Sequence, residues 1–193
     1  MAVYRVSALW TGFTGAPGYS NFHFTENPTG ETGSVIRAQV HDFFSELASL
    51  LPGVVTITID PTVEVFDEST GLLTGYETDT EDLSPVRGSG TGNFSGPAGA
   101  VINWLTATVV NGRRLRGRTF VVPLRATAYE QDGTLSSSVL GTLNTAASVL
   151  SGSPFESTFC IWSRPQGGGT GAVGEVIGHQ VPDMAAVLRS RRD

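Results

Sequence analysis

The arginines are the residues whose type and spacing in this chain most directly predict an interaction. All twelve basic residues are arginine, and seven of them fall into two short groups. The central arginine cluster is Arg113, Arg114, Arg116 and Arg118, and the C-terminal arginine cluster is Arg189, Arg191 and Arg192. A guanidinium group binds carboxylates and phosphates through paired hydrogen bonds. The clusters therefore predict an interface with an anionic partner.

Three kinds of partner fit this chemistry: a phosphate, a nucleic acid, or a carboxylate-rich surface on another subunit. The central cluster lacks the interleaved aromatic residues of a protein that binds single strands, so a nucleic acid is disfavoured but stays open as a partner. Binding of a nucleic acid would require the two arginine clusters to form one patch. The alternative to all three is that the arginines pair with the chain's own carboxylates and keep the surface soluble.

The remaining reactive side chains do not form a catalytic or metal-binding pattern. The chain has no lysine, which excludes a Walker-type phosphate loop and Schiff-base chemistry. Cys160 is the only cysteine and lies in an apolar run, where a buried thiol is expected. His23, His41 and His179 are not spaced as metal ligands. The sequence thus predicts no catalytic residue, no cofactor and no metal ion.

Acidic residues are concentrated between positions 64 and 82, a region that we call the acidic segment. Its members are Glu64, Asp67, Glu68, Glu77, Asp79, Glu81 and Asp82. The calcium-binding loop pattern is missing, so the segment is predicted to be a solvated acidic surface. Downstream, residues 88–92 (GSGTG) resemble a phosphate-cradling loop, but without the strand, turn and helix that such a loop requires.

Length and composition bound the class of protein. The 193 residues are predicted to form a single domain, residues 1–193, with a net charge of −6 that argues against general binding of polyanions. No apolar run approaches the roughly 20 residues of a membrane span, so no membrane is expected as a partner. The first residues are strand-like and carry no signal peptide, which predicts synthesis in the cytoplasm.

Alternation of apolar and polar residues predicts that strands dominate the chain. In the first run, Tyr4, Val6, Ala8 and Trp10 share one face. A loop is predicted at Leu83–Gly99, and the central arginine cluster is predicted to connect two strands. The predicted strands are Val3–Trp10, Tyr19–Thr25, Val54–Asp60, Thr62–Asp67, Leu72–Thr78, Ala100–Val110, Thr119–Leu124, Ser157–Arg164 and Gly174–Val181.

Two helices are predicted between the strands. The first, about Ser34–Leu51, has an apolar stripe and could be capped by Thr32 or Ser34. The stripe consists of Ile36, Val40, Phe43, Leu47 and Leu50. The second, Thr134–Leu150, is weaker because Gly141 costs about 1 kcal/mol against alanine. Together these elements predict an α+β fold, in which both helices pack on an antiparallel or mixed sheet. A β-sandwich with helical insertions is the alternative.

Three blocks of the sequence resemble those of small virion-associated structural proteins of tailed bacteriophages. They are Leu9–Phe24, the run Ala100–Val110 followed by Arg113–Leu124, and Val181–Asp193. The resemblance implies a structural subunit of the tail, neck or capsid, located in the virion. It assigns no role to any individual residue.

These observations together predict a protein that is not an enzyme and that assembles with copies of itself and with other virion proteins. The contacts are expected at the two arginine clusters and the long glycine-rich loop, because acidic and basic regions on one chain allow head-to-tail pairing. The alternative is a carbohydrate- or receptor-binding module on a virion surface, with exposed Trp10, Tyr19, Tyr76 or Trp104 as sugar platforms. An enzyme would require histidines and carboxylates to meet in one pocket.

Overall fold

The fold is α+β, which confirms the predicted class. The computed structural model describes residues 2–12, 18–25, 33–67, 69–91, 100–110, 113–124, 136–150, 156–157, 159–164 and 175–179. Within these segments eleven strands form two sheets, and two α-helices accompany them. All pairings between the described strands are antiparallel.

The larger sheet has seven strands. They are β1 (Ala2–Thr11), β2 (Gly18–Thr25), β3 (Thr56–Ile59), β4 (Thr62–Asp67), β5 (Leu73–Thr78), β6 (Val86–Arg87) and β9 (Glu156–Ser157). The order is β5-β4-β1-β2-β9, and β3 extends the pairing of β1 beyond the end of β4 and also pairs with β6. Strands β1 and β2 pair along their length, with Val3 to Trp10 opposite Thr25 to Gly18.

The smaller sheet contains the central arginine cluster. Its strands are β7 (Ala100–Val110), β8 (Arg113–Leu124), β10 (Phe159–Arg164) and β11 (Glu175–His179), in the order β11-β10-β7-β8. The long hairpin of β7 and β8 has a register shift between Thr108 and Val109. Strand β2 of the larger sheet approaches β7 and β8.

Helix α1 (Gly33–Leu47) packs against the larger sheet and against α2 (Ser137–Leu150). Both helices contribute side chains to the core that covers one face of this sheet. A turn of 3-10 helix, Ala48–Leu50, continues α1. Every residue of the predicted apolar stripe is buried. The stripe faces Tyr4, Val6, Ala8 and Trp10 of β1, which are also buried in the same core.

Aromatic side chains fill the centre of this core. Phe43 and Phe44 of α1 meet Phe22 of β2 with ring centroids 5.4 and 5.5 Å apart, and Trp10 meets Phe44 at 5.0 Å. All four contacts among these rings, including the one between Phe43 and Phe44, are edge-to-face, the arrangement that the aromatic quadrupole favours. Val139, Leu143 and Ala146 of α2 complete the cluster.

Three local predictions differ from the structure. The predicted loop Leu83–Gly99 contains β6, two residues that pair with Thr56 and Ile57 and are too short to produce a periodic signal. The central arginine cluster was predicted to be a connection, but it lies within β8, whose pairing with β7 begins at Arg113. Ser34 is inside the first turn of α1 and not its cap.

The other predicted cap of α1, Thr32, lies outside the described residues. The same holds for residues 92–99 of the predicted loop. The prediction that residues 1–193 form a single domain stays a prediction.

Candidate assembly surfaces

Strand β5 is an edge of the larger sheet, and it carries exposed apolar side chains. Among the described strands it pairs only with β4. Tyr76 is 62% exposed and Leu72, directly before the strand, is 66% exposed, while Leu73 is also exposed. We call β5 together with Leu72 the β5 edge. An exposed strand edge with apolar side chains is a surface that another polypeptide can cover.

The β4–β5 hairpin loop fixes the start of the β5 edge. The carboxylate of Asp67 accepts hydrogen bonds from the Thr70 amide at 2.8 Å, the Ser69 hydroxyl at 2.6 Å and the Thr70 hydroxyl at 2.8 Å. Gly71 closes the loop with a φ of 69°, a left-handed conformation that glycine adopts without the steric cost of a side chain. The three hydrogen bonds favour the charged carboxylate and lower the pKa of Asp67 to about 2.

The far end of β5 supports the beginning of α1. The carboxylate of Glu77 accepts a hydrogen bond from the Gly33 amide at 2.7 Å. A carboxylate at this position satisfies one of the unpaired amides of the first helical turn and interacts favourably with the helix dipole. The cap therefore comes from a strand 44 residues away, a contact that local sequence patterns do not reveal.

Arg37 joins α1 to the chain segments before β4 and after β5. Its side chain is buried and forms an ion pair with Asp79. Its Nε donates to the carbonyl oxygen of Asp60 at 2.8 Å, and a terminal nitrogen donates to that of Glu81 at 3.2 Å. The pKa of Asp79 is lowered by the Glu81 amide, which donates a hydrogen bond to its carboxylate, and by the Arg37 guanidinium.

An open cavity of about 270 Å³ lies at this junction. It is lined by Gly33, Ser34, Glu77, Thr78, Asp79 and Thr80. The groups that would recognise a ligand already have partners, because Glu77 occupies the helix amide and Asp79 is paired with Arg37. The cavity thus belongs to the packing of α1 on β5.

Much of the acidic segment has structural partners, so the prediction of a simply solvated surface was partly wrong. Four of its carboxylates have partners in the fold. Glu64 pairs with Arg5, and Asp79 pairs with Arg37. Asp67 accepts hydrogen bonds within the hairpin loop, and Glu77 accepts one from α1. Glu81 and Asp82 are exposed, as predicted. In the part of the chain that the structure describes, no three histidine, cysteine or carboxylate side chains are grouped as a metal site would require.

The sheet face opposite the helices carries the ion pair of Arg5 with Glu64. The guanidinium of Arg5 also lies over the ring of Phe66, 5.6 Å from its centroid. Because Glu64 is opposite Tyr76 and Phe66 is opposite Leu73 in the β4–β5 pairing, these residues share a face with the exposed side chains of the β5 edge.

The described part of residues 88–92 does not form a phosphate-cradling loop, in agreement with the missing strand, turn and helix. The amides of Gly88, Ser89 and Gly90 donate to the carbonyl oxygens of Val55, Ala48 and Leu51 at 3.0, 2.8 and 2.9 Å. These bonds leave none of the three amides to hold a phosphate. A Cβ atom at Gly88 would lie 2.1 Å from the Pro52 carbonyl oxygen, so the close approach requires glycine.

The central arginine cluster lies on an edge strand. Arg113, Arg114, Arg116 and Arg118 occupy the first half of β8, opposite Val110, Val109, Thr108 and Thr106 of β7. Among the described strands, β8 has β7 as its hydrogen-bonded neighbour. The C-terminal arginine cluster, Arg189, Arg191 and Arg192, lies outside the described residues, so the joining of the two clusters stays a prediction.

Other candidate residues take structural positions or lie outside the described part. Trp10 is 4% exposed and packs on Phe44, which excludes it as a sugar platform. His41 has a ring nitrogen 3.1 Å from the Ser84 carbonyl oxygen, and its other ring nitrogen is 3.6 Å from Asp42 on the exposed side of α1. The side chains of Tyr19, His23, Trp104, Cys160 and His179 are not among those described.

Sequence patterns did not identify the β5 edge as an interface or Arg37 as a buried residue. The exposure of Leu72, Leu73 and Tyr76 depends on the position of β5 in the sheet, which only the tertiary pairing determines. Arginine is usually a surface residue, but the spacing of Arg37, three residues before Val40, places it beside the buried stripe.

The chain matches no protein-family model, no curated protein and no solved structure. Neither helix in the described segments combines the length and apolarity that crossing a membrane requires.

Proposed function

We propose that this protein is a structural subunit of a bacteriophage particle, in its tail, neck or capsid, that assembles through contacts with copies of itself and with other virion proteins. The observation that carries the proposal is the β5 edge. Its three exposed apolar side chains lie on, or directly before, a strand whose outer side meets no other described strand. Such edges are normally protected in proteins that stay monomeric.

Two further features support assembly over catalysis. The carboxylates around the β5 edge that could have done acid–base chemistry hold the fold together, as Glu77 and Asp79 do at α1. The exposed carboxylates Glu81 and Asp82 and the central arginine cluster give opposite charges to separate regions of one chain. Opposite charges on separate surfaces favour contacts between copies.

The alternative of a carbohydrate- or receptor-binding module rests on Tyr76, whose exposed ring could stack on a sugar. Of the two predicted platforms whose side chains the structure describes, Trp10 is buried and Tyr76 is exposed. A glycan array probed with the purified protein separates the two functions, because specific hits that disappear in Tyr76→Ala would favour the binding module.

The mass of the purified protein in solution, measured by light scattering at about 50 mM and about 1 M NaCl, tests the proposed assembly. We expect oligomers at low salt that dissociate at high salt, with rings, tubes or shells in negative-stain images. Mass spectrometry of purified phage particles that encode the chain should detect it in the particle. A protein absent from the particle, or monomeric at every salt and protein concentration, would contradict the proposal.

A further inference from the structure

We infer that β5 of one copy of this protein pairs edge to edge with β8 of a second copy. The inference rests on the proposed function, since it names the two surfaces through which subunits would assemble. It commits to a contact between two different surfaces, a heterologous contact, which repeats from copy to copy and forms rings or filaments.

The backbone of β5 offers hydrogen-bonding groups to a new strand. The Asp79 amide donates to the Pro61 carbonyl oxygen at 3.0 Å, in line with the pairing of Val63 with Glu77. In antiparallel pairing the amides of alternate residues point toward and away from the neighbouring strand. The amides of Tyr76 and Thr78 therefore point away from β4, toward the outer side of the sheet.

The β5 edge lacks the residues that commonly protect a strand from a partner. Lysine and proline serve this purpose in many proteins, but the chain has no lysine and β5 contains no proline. The register shift of the β4–β5 pair lies near Thr74, so the regular part of the edge is Gly75–Thr78. The exposed ring of Tyr76 lies within this part.

Charge disfavours the pairing of β5 with another β5. Such a contact would bring together two copies of Glu77 and of the carboxylates that follow the strand, Asp79, Glu81 and Asp82. Like charges placed opposite one another destabilise a strand pair, and exposed carboxylates would add to the repulsion. A partner for the β5 edge should instead be basic.

Strand β8 supplies a basic edge on the same chain. It is twelve residues long, and its first half carries the four residues of the central arginine cluster. Arginine forms paired hydrogen bonds with carboxylates, so a β8 strand beside β5 would meet the acidic segment with complementary charge. Repulsion between the positive charges of two central arginine clusters disfavours the pairing of β8 with another β8, just as repulsion between carboxylates disfavours the pairing of two β5 strands.

The experiment compares two single-surface variants with matched controls. Tyr76→Lys alters the β5 edge at an exposed residue, and the double variant Arg114→Glu, Arg116→Glu alters β8. Two control variants introduce the same types of change elsewhere. One is Val54→Lys, at a residue that is 71% exposed and lies outside β5. The other is Arg87→Glu, at an exposed arginine of β6. We expect each surface variant to raise the apparent dissociation constant at least about tenfold, and each control to leave it unchanged.

Mixing provides the decisive outcome. The Tyr76→Lys copy keeps an intact β8, and the double variant keeps an intact β5, so an equimolar mixture should form one-to-one dimers although each variant alone is monomeric. Light scattering measures the mass. In the unmodified protein, hydrogen exchange at assembling concentration should protect the amides of Tyr76 and Thr78, a readout that does not depend on the folding of any variant.

Wild-type oligomers that neither surface variant weakens, and that leave the amides of Tyr76 and Thr78 unprotected, would overturn the inference while the proposed function stands. A mixture that remains monomeric would overturn the heterologous pairing in the same way. A wild-type protein that is monomeric at every concentration would overturn both.

Discussion

Arg37 is a charged residue on the buried side of α1, where only 2% of its surface is exposed. The guanidinium is retained there because it has three partners, the carboxylate of Asp79 and the carbonyl oxygens of Asp60 and Glu81. These bonds attach the helix layer to both ends of the β4–β5 hairpin. One side chain thereby holds α1 and the candidate interface in a fixed relation.

We expect Arg37→Ala to lower the free energy of unfolding by about 3 kcal/mol, since it removes a buried side chain, its ion pair with Asp79 and its hydrogen bonds to the part-buried carbonyl groups of Asp60 and Glu81. Arg37→Lys should also destabilise, because an ammonium group cannot reproduce the planar fork. Urea unfolding followed by circular dichroism measures both. Arg87→Ala, at an exposed arginine, serves as control and should change stability by less than about 0.5 kcal/mol.

At the scale of elements, the β4–β5 hairpin depends on the ionisation of Asp67. Its pKa is lowered from 3.8 to about 2 because the Ser69 and Thr70 side chains and the Thr70 amide donate to the carboxylate. A carboxyl group with a lowered pKa in the folded state contributes stability above its unfolded pKa, and that contribution is lost as the pH falls toward the folded pKa. The hairpin should therefore weaken between about pH 4 and pH 2.

The combined variant Ser69→Ala, Thr70→Val tests this dependence. Loss of both hydroxyl donors should raise the pKa of Asp67 toward 3.8, as measured by NMR titration of its carboxyl carbon. The free energy of unfolding should then fall less steeply with acid between about pH 4 and pH 2 than it does in the wild type. An unchanged Asp67 pKa in the variant would show that the loop hydroxyls do not determine it.

The elements that sequence patterns predict well are those whose burial follows a regular period. The stripe of α1 from Ile36 to Leu50 and the alternating face of β1 are buried as expected, because one side of each element packs in a single core. Strand β6 escaped prediction because two residues contain no period. The strand character of residues 113–118 escaped because charge masks alternation, and only the pairing with β7 reveals it.

The candidate site was less accessible to sequence patterns, for a related reason. The central arginine cluster can be recognised from the sequence, whereas the β5 edge is recognised only from the strand order, in which β5 has a described neighbour, β4, on one side. An exposed Tyr76 and a buried Tyr4 occur in similar alternating runs. Their environments differ because Tyr4 faces the helices, whereas Tyr76 lies on the opposite face of the sheet and on its end strand. Strand order and register, which arise from contacts distant in sequence, determine this difference.

At the scale of the whole molecule, each copy contributes two different surfaces to the inferred assembly, the β5 edge and β8. An assembly built this way grows only while both surfaces are available, so a copy with one defective surface ends it. The double variant Arg114→Glu, Arg116→Glu should act as such a terminator, because it can still bind a neighbouring β8 through its own β5 edge. A contact between identical surfaces behaves differently, since a copy that lacks that surface would simply be left out.

We therefore expect small amounts of this double variant, added to dissociated wild-type protein before a return to low salt, to shorten filaments or leave rings incomplete in proportion to its fraction. One part in about ten should limit open assemblies to about ten subunits, because each terminator ends one assembly. Electron microscopy and light scattering measure the size distribution. Arg87→Glu added at the same fraction should leave it unchanged, since its β5 and β8 are both intact. Assemblies of undiminished size that exclude the double variant would instead indicate contacts between identical surfaces.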